Sequence, residues 1–449
     1  MNNTKSLTQG SILASLIKFA LPVLAAMFLQ SLYGGVDLLV VGQFAETADV
    51  SGVATGSQLM HTATLVVTSL AMGLTIYVGQ KIGEKKEDEA GRAVGAGVVL
   101  FLIIGAVMTV VFAIFAARLS AVMQAPEEAF SHTTQYVRIC GLGFIFITAY
   151  NVLGAIFRGI GDSATPLLTV AIACGFNIAG DIIFVAVLGL GAAGAAIATV
   201  LSQASSVVIS LMIISRKKLP FRFSRSYICF DRRLISKELK LGVPIALQEL
   251  LVGVSFLVIQ AIVNSIDVVA SAGVGVAEKV CAFILLVPSS FGQSMAAFVA
   301  QNVGARETVR AKKALIYGIL TSLAVGLVIG SFTFVRGDLL AAIFSKDAAV
   351  IASAHSYLKA YAIDTLLTAI MFCWIGYYNG CGKTLFVMIQ GIIGAIGVRV
   401  PMVFLMSRIE GASLFMIGLG TPSSTFVQIL LCAGYAMWLK KQNNQLEHI

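Results

Sequence analysis

This sequence is short of charge. Only 12% of its 449 residues are Asp, Glu, Lys or Arg, while 58% are apolar. A soluble domain carries about 25% charged residues. So few charges cannot cover a water-exposed surface, which excludes most soluble enzymes, disordered scaffolds and secreted disulfide modules. Histidine is also scarce: His61, His132, His355 and His448 are dispersed. No H-E-x-x-H or comparable nucleophile constellation accompanies them, so a membrane-embedded enzyme is disfavoured on site chemistry. The cysteines (Cys140, Cys174, Cys229, Cys281, Cys373, Cys381, Cys432) show no C-x-x-C or paired spacing, and most lie in apolar runs. There a thiol behaves as a small hydrophobe, and neither a disulfide framework nor a metal site is expected. No short apolar core with a small-residue cleavage site opens the chain, and the first apolar run reads as a membrane helix.

Long apolar runs, by contrast, are abundant. A spanning helix needs ~20 mostly apolar residues, and that criterion predicts an all-α polytopic membrane protein with twelve spans. They fall near 17–43, 50–80, 93–117, 138–157, 166–188, 192–215, 241–265, 270–300, 314–335, 355–378, 385–407 and 412–439. The net charge of +9 reads as topology rather than as a nucleic-acid signal. With both termini cytoplasmic, the inner segments hold most of the 31 Lys and Arg residues, as the positive-inside bias requires. The richest inner segment, 216–240, is the expected linker between an N-terminal lobe (1–215) and a C-terminal lobe (241–449). It reads as a solvated cytoplasmic connection whose basic residues could also meet anionic lipid.

The two halves repeat. Pro22 in KFALPVLAAMF matches Pro244 in KLGVPIALQEL, and Gln80-Lys81-Ile82-Gly83 matches Gln301-Asn302-Val303-Gly304. Tyr136-Val137-Arg138 matches Tyr357-Leu358-Lys359, and Gly159-Ile160-Gly161 matches Gly380-Cys381-Gly382. Six spans per half is an even number, so the repeat is parallel. Secondary transporters are commonly built from such halves, with substrate held between them.

An ionisable group inside a span costs ~2.5–3.5 kcal/mol even on lenient insertion scales. Those within the expected spans are Asp37, Asp181, Glu249, Glu278, Lys279, Asp364 and Arg399, with His61 read as a packed polar residue. Asp37, Asn177, Asp181 and Thr199 fall at similar depth, and the i,i+4 spacing of Asn177 and Asp181 puts them on one helical face. Two carboxylates, an amide and a hydroxyl are hard oxygen ligands suited to H+ or Na+. In the repeat, Asn177 and Asp181 correspond to Val398 and Met402, so this cluster belongs to the N-terminal half alone. In the other half, Asp364 and Arg399 reach nearly the same depth at ~1.5 Å per residue, which admits a pair between them. Glu249 and Glu278 read equally as substrate contacts or as internally paired groups.

At these residues the sequence resembles the multidrug and toxic compound extrusion (MATE) family of antiporters. LYGGVDLLVVG, FRGIGDSATPL, NIAGDIIF with GLGAAGAAIAT, and FVAQNVGARE carry the resemblance, which covers nearly the whole chain. It implies twelve helices in two pseudo-symmetric six-helix lobes. It also implies export of cationic amphipathic drugs against entry of Na+ or H+, with no further cofactor. The family's cation site is similar to Asp37, Asn177, Asp181 and Thr199 here, and its first-helix kink falls at a proline that looks like Pro22. Carboxylates of the second lobe that could meet substrate are Glu249, Glu278 and Asp364. The expected partners are small organic cations and membrane lipid, with no nucleic acid, around a monomer in the cell membrane. A lipid-linked saccharide flippase of the same superfamily is the alternative. It would need several basic residues for pyrophosphate, and the spans offer only Lys279 and Arg399.

Overall fold

The computed structural model describes residues 7–217, 219–221 and 223–446. Part of the expected N-terminal segment, Lys218 and Arg222 of the linker, and the final three residues lie outside the described residues. The chain is helical throughout, with no strand among the described residues. Eleven helices among them are long and apolar enough to cross a membrane, and a bent pair supplies a twelfth span. Helices such as α1 (Ile12–Phe44) and α2 (Thr47–Gly83) have 33 and 37 residues. At ~1.5 Å per residue they outrun the ~30 Å hydrocarbon layer. The apolar runs therefore mark only the middle of each helix.

The fourth span departs from expectation. Instead of one run over 138–157, a turn at Glu127–Ala129 leads into α4 (Phe130–Leu142), following α3 (Glu87–Val122). Then α5 (Phe144–Gly159) leaves at 53° after a break at Gly143. A Cβ on Gly143 would stand 2.4 Å from both methyls of Val200, so only glycine lets the bend pack there. The early start was hidden because Glu127, Glu128, His132 and Arg138 interrupt the apolar pattern.

The chain forms two compact units. Unit 1 holds the described residues of 7–10, 17–246 and 300–307. Its core gathers Val41, Val53, Phe101, Phe112, Phe144 and Phe157 from α1 to α5. α6 (Ala164–Asp181) and α7 (Gly191–Arg216) are tied together at one end, and α7 is anchored to α2 and α4 at the other. At one end, Asp162 accepts hydrogen bonds from the Ala164 and Thr165 backbone and from the Lys217 ammonium. At the other end, Asp49 Oδ1 accepts the Ala192 N–H and His132 Nδ1–H, each at 2.8 Å. Gly191 lies between them at φ +53, and a Cβ there would fall 2.3 Å from the same oxygen. Midway, Gly180 approaches Ala198 so closely that an added Cβ would meet the alanine methyl at 2.9 Å.

The expected solvated linker is partly structured. Tyr227 lies against α3, where its hydroxyl donates to Asp88 and Arg92 covers its ring. Phe221 is buried. An aromatic ring gains more from an apolar helix face than from water, so this stretch docks rather than trails.

Unit 2 holds the described residues of 11–16, 247–299 and 308–446. It includes most of α8 (Arg232–Asn264), then α9 (Val268–Ile284), α10 (Leu286–Gly304), α11 (Thr308–Ala342) and α12 (Ala348–Gly380). Next come α13 (Thr384–Ile392), α14 (Val400–Ser407), α15 (Leu414–Gly418) and α16 (Gly420–Leu446). Ile259, Val274, Tyr357, Leu358, Val403 and Ile417 form its core. Pro22 and Pro244 both lie within continuous helices, α1 and α8. Each removes one ladder hydrogen bond from its helix. Each unit also contains one π-helical stretch, Ile182–Val187 in unit 1 and Ile393–Arg399 in unit 2. Such wide turns often mark functional positions.

Candidate functional site

The four N-terminal residues singled out in the sequence converge. Asp37 comes from the C-terminal third of α1, Asn177 and Asp181 from the last turns of α6, and Thr199 from α7. Asn177 and Asp181 are fully buried and Asp37 is 5% exposed. Thr199 Oγ1 donates to Asp37 Oδ2 at 3.4 Å, while Asn177 and Asp181 face Asp37 closely enough to interact with its carboxylate. Yet Asp37 Oδ1, both oxygens of Asp181 and both polar atoms of Asn177 are shut off from solvent without a hydrogen bond. Buried polar atoms are normally paired, and unpaired carboxylate oxygens are the costliest to leave so. The π-helical stretch begins immediately after Asp181, while Asp162 joins the far ends of α6 and α7 and Asp49 anchors the start of α7.

Several neighbours are not assigned to this site by the sequence pattern. Tyr33 and Tyr136 both interact with Asp37, Tyr136 also reaches Thr199, and Cys140 lies beside Tyr136. Gln203 Nε2 donates to the Tyr33 hydroxyl at 3.3 Å. Two of these had a readable signal: Tyr33 is one turn before Asp37 and Gln203 one turn after Thr199, hence on the same faces. Tyr136 and Cys140 come from the helix that begins earlier than its apolar run, and they had no such signal.

In unit 2, Glu278 and Asp364 both interact with Cys281, and Arg399 acts on Asp364, Tyr357 and Tyr361. The pair considered between Asp364 and Arg399 does not form within 4.0 Å. Arg399 Nη1 instead donates to Ser255 Oγ at 3.0 Å, and the guanidinium covers the Phe256 ring at 4.4 Å. The depth estimate assumed a regular α-helix, but Arg399 ends a π-helical stretch whose extra residue shifts its height and bearing. Glu249 stands apart, with no charged group acting on it. His61 is exposed on α2 rather than packed.

An all-helical, twelve-span protein built of two repeats is the class these features define. The MatE family model matches residues 22–183 and 244–405, one copy in each half. The chain therefore belongs to the MATE family of multidrug efflux transporters. It is 27% identical over 454 residues to "Probable multidrug resistance protein YoeA" of Bacillus subtilis (strain 168), covering 99% of this chain and 98% of that protein. "Multidrug export protein MepA" of Staphylococcus aureus (strain NCTC 8325 / PS 47) is 22% identical over 442 residues, covering 96% and 93%. The fold matches a solved outward-facing conformation of a multidrug resistance MATE family transporter of the MOP superfamily. That match has a TM-score of 0.91 at 20% identity, over the whole of both chains.

Proposed function

We propose that the protein is a secondary antiporter that exports amphipathic organic cations across the cell membrane, driven by entry of Na+ or H+. The observation that carries this reading is the buried set of partnerless atoms on Asp37, Asn177 and Asp181. Hard oxygens held together and left unpaired are completed by a proton or a hard cation. Family membership and relatives named for multidrug resistance and export support it.

Asp37 and Asp181 take up the ion from outside, assisted by Asn177 and Thr199. Neutralising the carboxylates removes the charge that attracts an organic cation and changes how α1 packs on α6 and α7. Pro22, which breaks the backbone ladder of α1, lets that helix respond, and substrate leaves outward. One charge crossing 100 mV supplies ~2.3 kcal/mol, enough for a concentration ratio of several tens. Glu249, Glu278 and Asp364 are the acidic groups of unit 2 assigned to substrate. Both termini lie in the cytoplasm, and the protein works as a monomer.

Dye efflux from drug-sensitive cells expressing wild type or Asp37→Asn tests this directly, with a sodium jump and a proton gradient applied separately. Wild-type efflux under one gradient, lost in the mutant at equal expression, is the expected result and names the ion. If wild type moves no cationic dye under either gradient, the reading fails and lipid-linked saccharide transport becomes the account to test.

A further inference from the structure

Arg158 is placed unlike a helix-terminal arginine. It lies in the last turn of α5, where a basic side chain ordinarily caps the final carbonyls or extends to the headgroups. Instead it folds back along its own helix. Its Nη1 would stand 3.3 Å from a Cβ on Gly154, one turn earlier, and the Tyr150 hydroxyl, two turns earlier, is near enough to act on it. Gly154, lacking a side chain, leaves room for the guanidinium to lie there. Arg158 Nε and Nη2 are shut off from solvent and make no hydrogen bond. Among the described residues, the Tyr150 hydroxyl is the only ionisable group acting on Arg158, and no carboxylate pairs with it. Tyr150 is itself oriented, since its hydroxyl accepts from Gln30 Nε2 at 2.9 Å. A guanidinium drawn inward and left without an anion is costly, and its planar fork matches a carboxylate or phosphate with two parallel hydrogen bonds.

We propose that Arg158, beside the Tyr150 hydroxyl that Gln30 orients, is a receptor for the carboxylate or phosphate group of an anionic or amphoteric ligand. This deepens the export reading and rests on it: the transported class then includes molecules bearing both charges, with the anionic end at Arg158.

The test is equilibrium binding to the full-length protein in detergent, read by fluorescence anisotropy. The probes are a rhodamine with a free carboxylate and its methyl ester, which carries only positive charge. Wild type is expected to hold the acid about tenfold or more tighter than the ester, as charge-assisted bidentate bonds imply. Arg158→Gln is expected to abolish that preference while leaving ester affinity unchanged. Arg158→Lys, which keeps the charge but loses the fork, should retain part of the preference. Repeating the measurement in phosphatidylglycerol and phosphatidylcholine nanodiscs separates the two sources of anion. If the preference vanishes only with phosphatidylglycerol, a lipid phosphate occupies Arg158; if it persists in both, the solute carboxylate does. Equal binding of acid and ester by wild type overturns the proposal alone, and so does an equal weakening of both in Arg158→Gln at unchanged unfolding temperature. Binding of neither dye overturns it together with the export reading. If Arg158→Gln fails to fold, the wild-type comparison and Arg158→Lys still decide.

Discussion

Thr199 Oγ1 and Asp37 Oδ2 lie 3.4 Å apart although 162 positions separate them in the chain. This is the contact by which α7 joins the carboxylate on α1. If the proposed ion binds here, losing the hydroxyl is expected to weaken its binding by about 1 kcal/mol, or roughly fivefold. The apparent ion affinity of efflux in Thr199→Val should fall accordingly, with Thr199→Ser near wild type. A wild-type ion dependence in Thr199→Val would remove the hydroxyl from the site.

Gly180 and Ala198 set how closely α6 approaches α7. In Gly180→Ala the new methyl meets the Ala198 methyl at 2.9 Å unless the helices part. Overpacking of this kind costs about 1–3 kcal/mol, to be read as a lower unfolding temperature and a weakened ion site. Because the clash is between these two methyls, Ala198→Gly in the same chain should restore both. Failure of the rescue would place the strain elsewhere.

Arg399 is held by Ser255 rather than by Asp364. A hydrogen bond to a charged group contributes about 1.5–3 kcal/mol, so Ser255→Ala should lower stability by that order. In double-mutant cycles, the coupling of Arg399→Gln with Ser255→Ala is expected to exceed its coupling with Asp364→Asn. The reverse ranking would restore the ion pair that the sequence suggested.

Cysteine chemistry checks the topology. Cys229 is exposed in the segment between α7 and α8, whereas Cys381 is half-buried between α12 and α13. Burial pushes the Cys381 thiol up to about 11. The thiolate is the reactive form, so at neutral pH a membrane-impermeant maleimide should label Cys229 fast and Cys381 slowly. Labelling of Cys381 should accelerate as pH rises toward that value. Cys229 should react in inside-out vesicles and not in intact cells; the opposite sidedness would invert the orientation.

Much of the fold was legible because membrane helices announce themselves by apolar length. The candidate site was legible for a related reason: a carboxylate inside a span is costly enough to be conspicuous, so Asp37 and Asp181 stood out. The start of the fourth span escaped because Glu127, Glu128, His132 and Arg138, none of them buried, break the apolar pattern without stopping the helix. Arg158 escaped because it falls just past the apolar run of 138–157, and its inward fold depends on the room left by Gly154.

By itself the sequence determined the helices, their repeat and the residue types available to bind an ion, since hydropathy and periodicity are local properties of the chain. Tertiary structure alone decided which of those residues meet. Thr199 turns to Asp37 because Asp49 anchors the start of α7, Asp162 ties its end to α6, and Gly180 lets the two helices close. Arg399 turns to Ser255 because a π-helical stretch changes its height and bearing. Both outcomes follow from packing and backbone register, where an added methyl or one extra residue per turn redirects a side chain that depth-counting along an ideal helix places elsewhere.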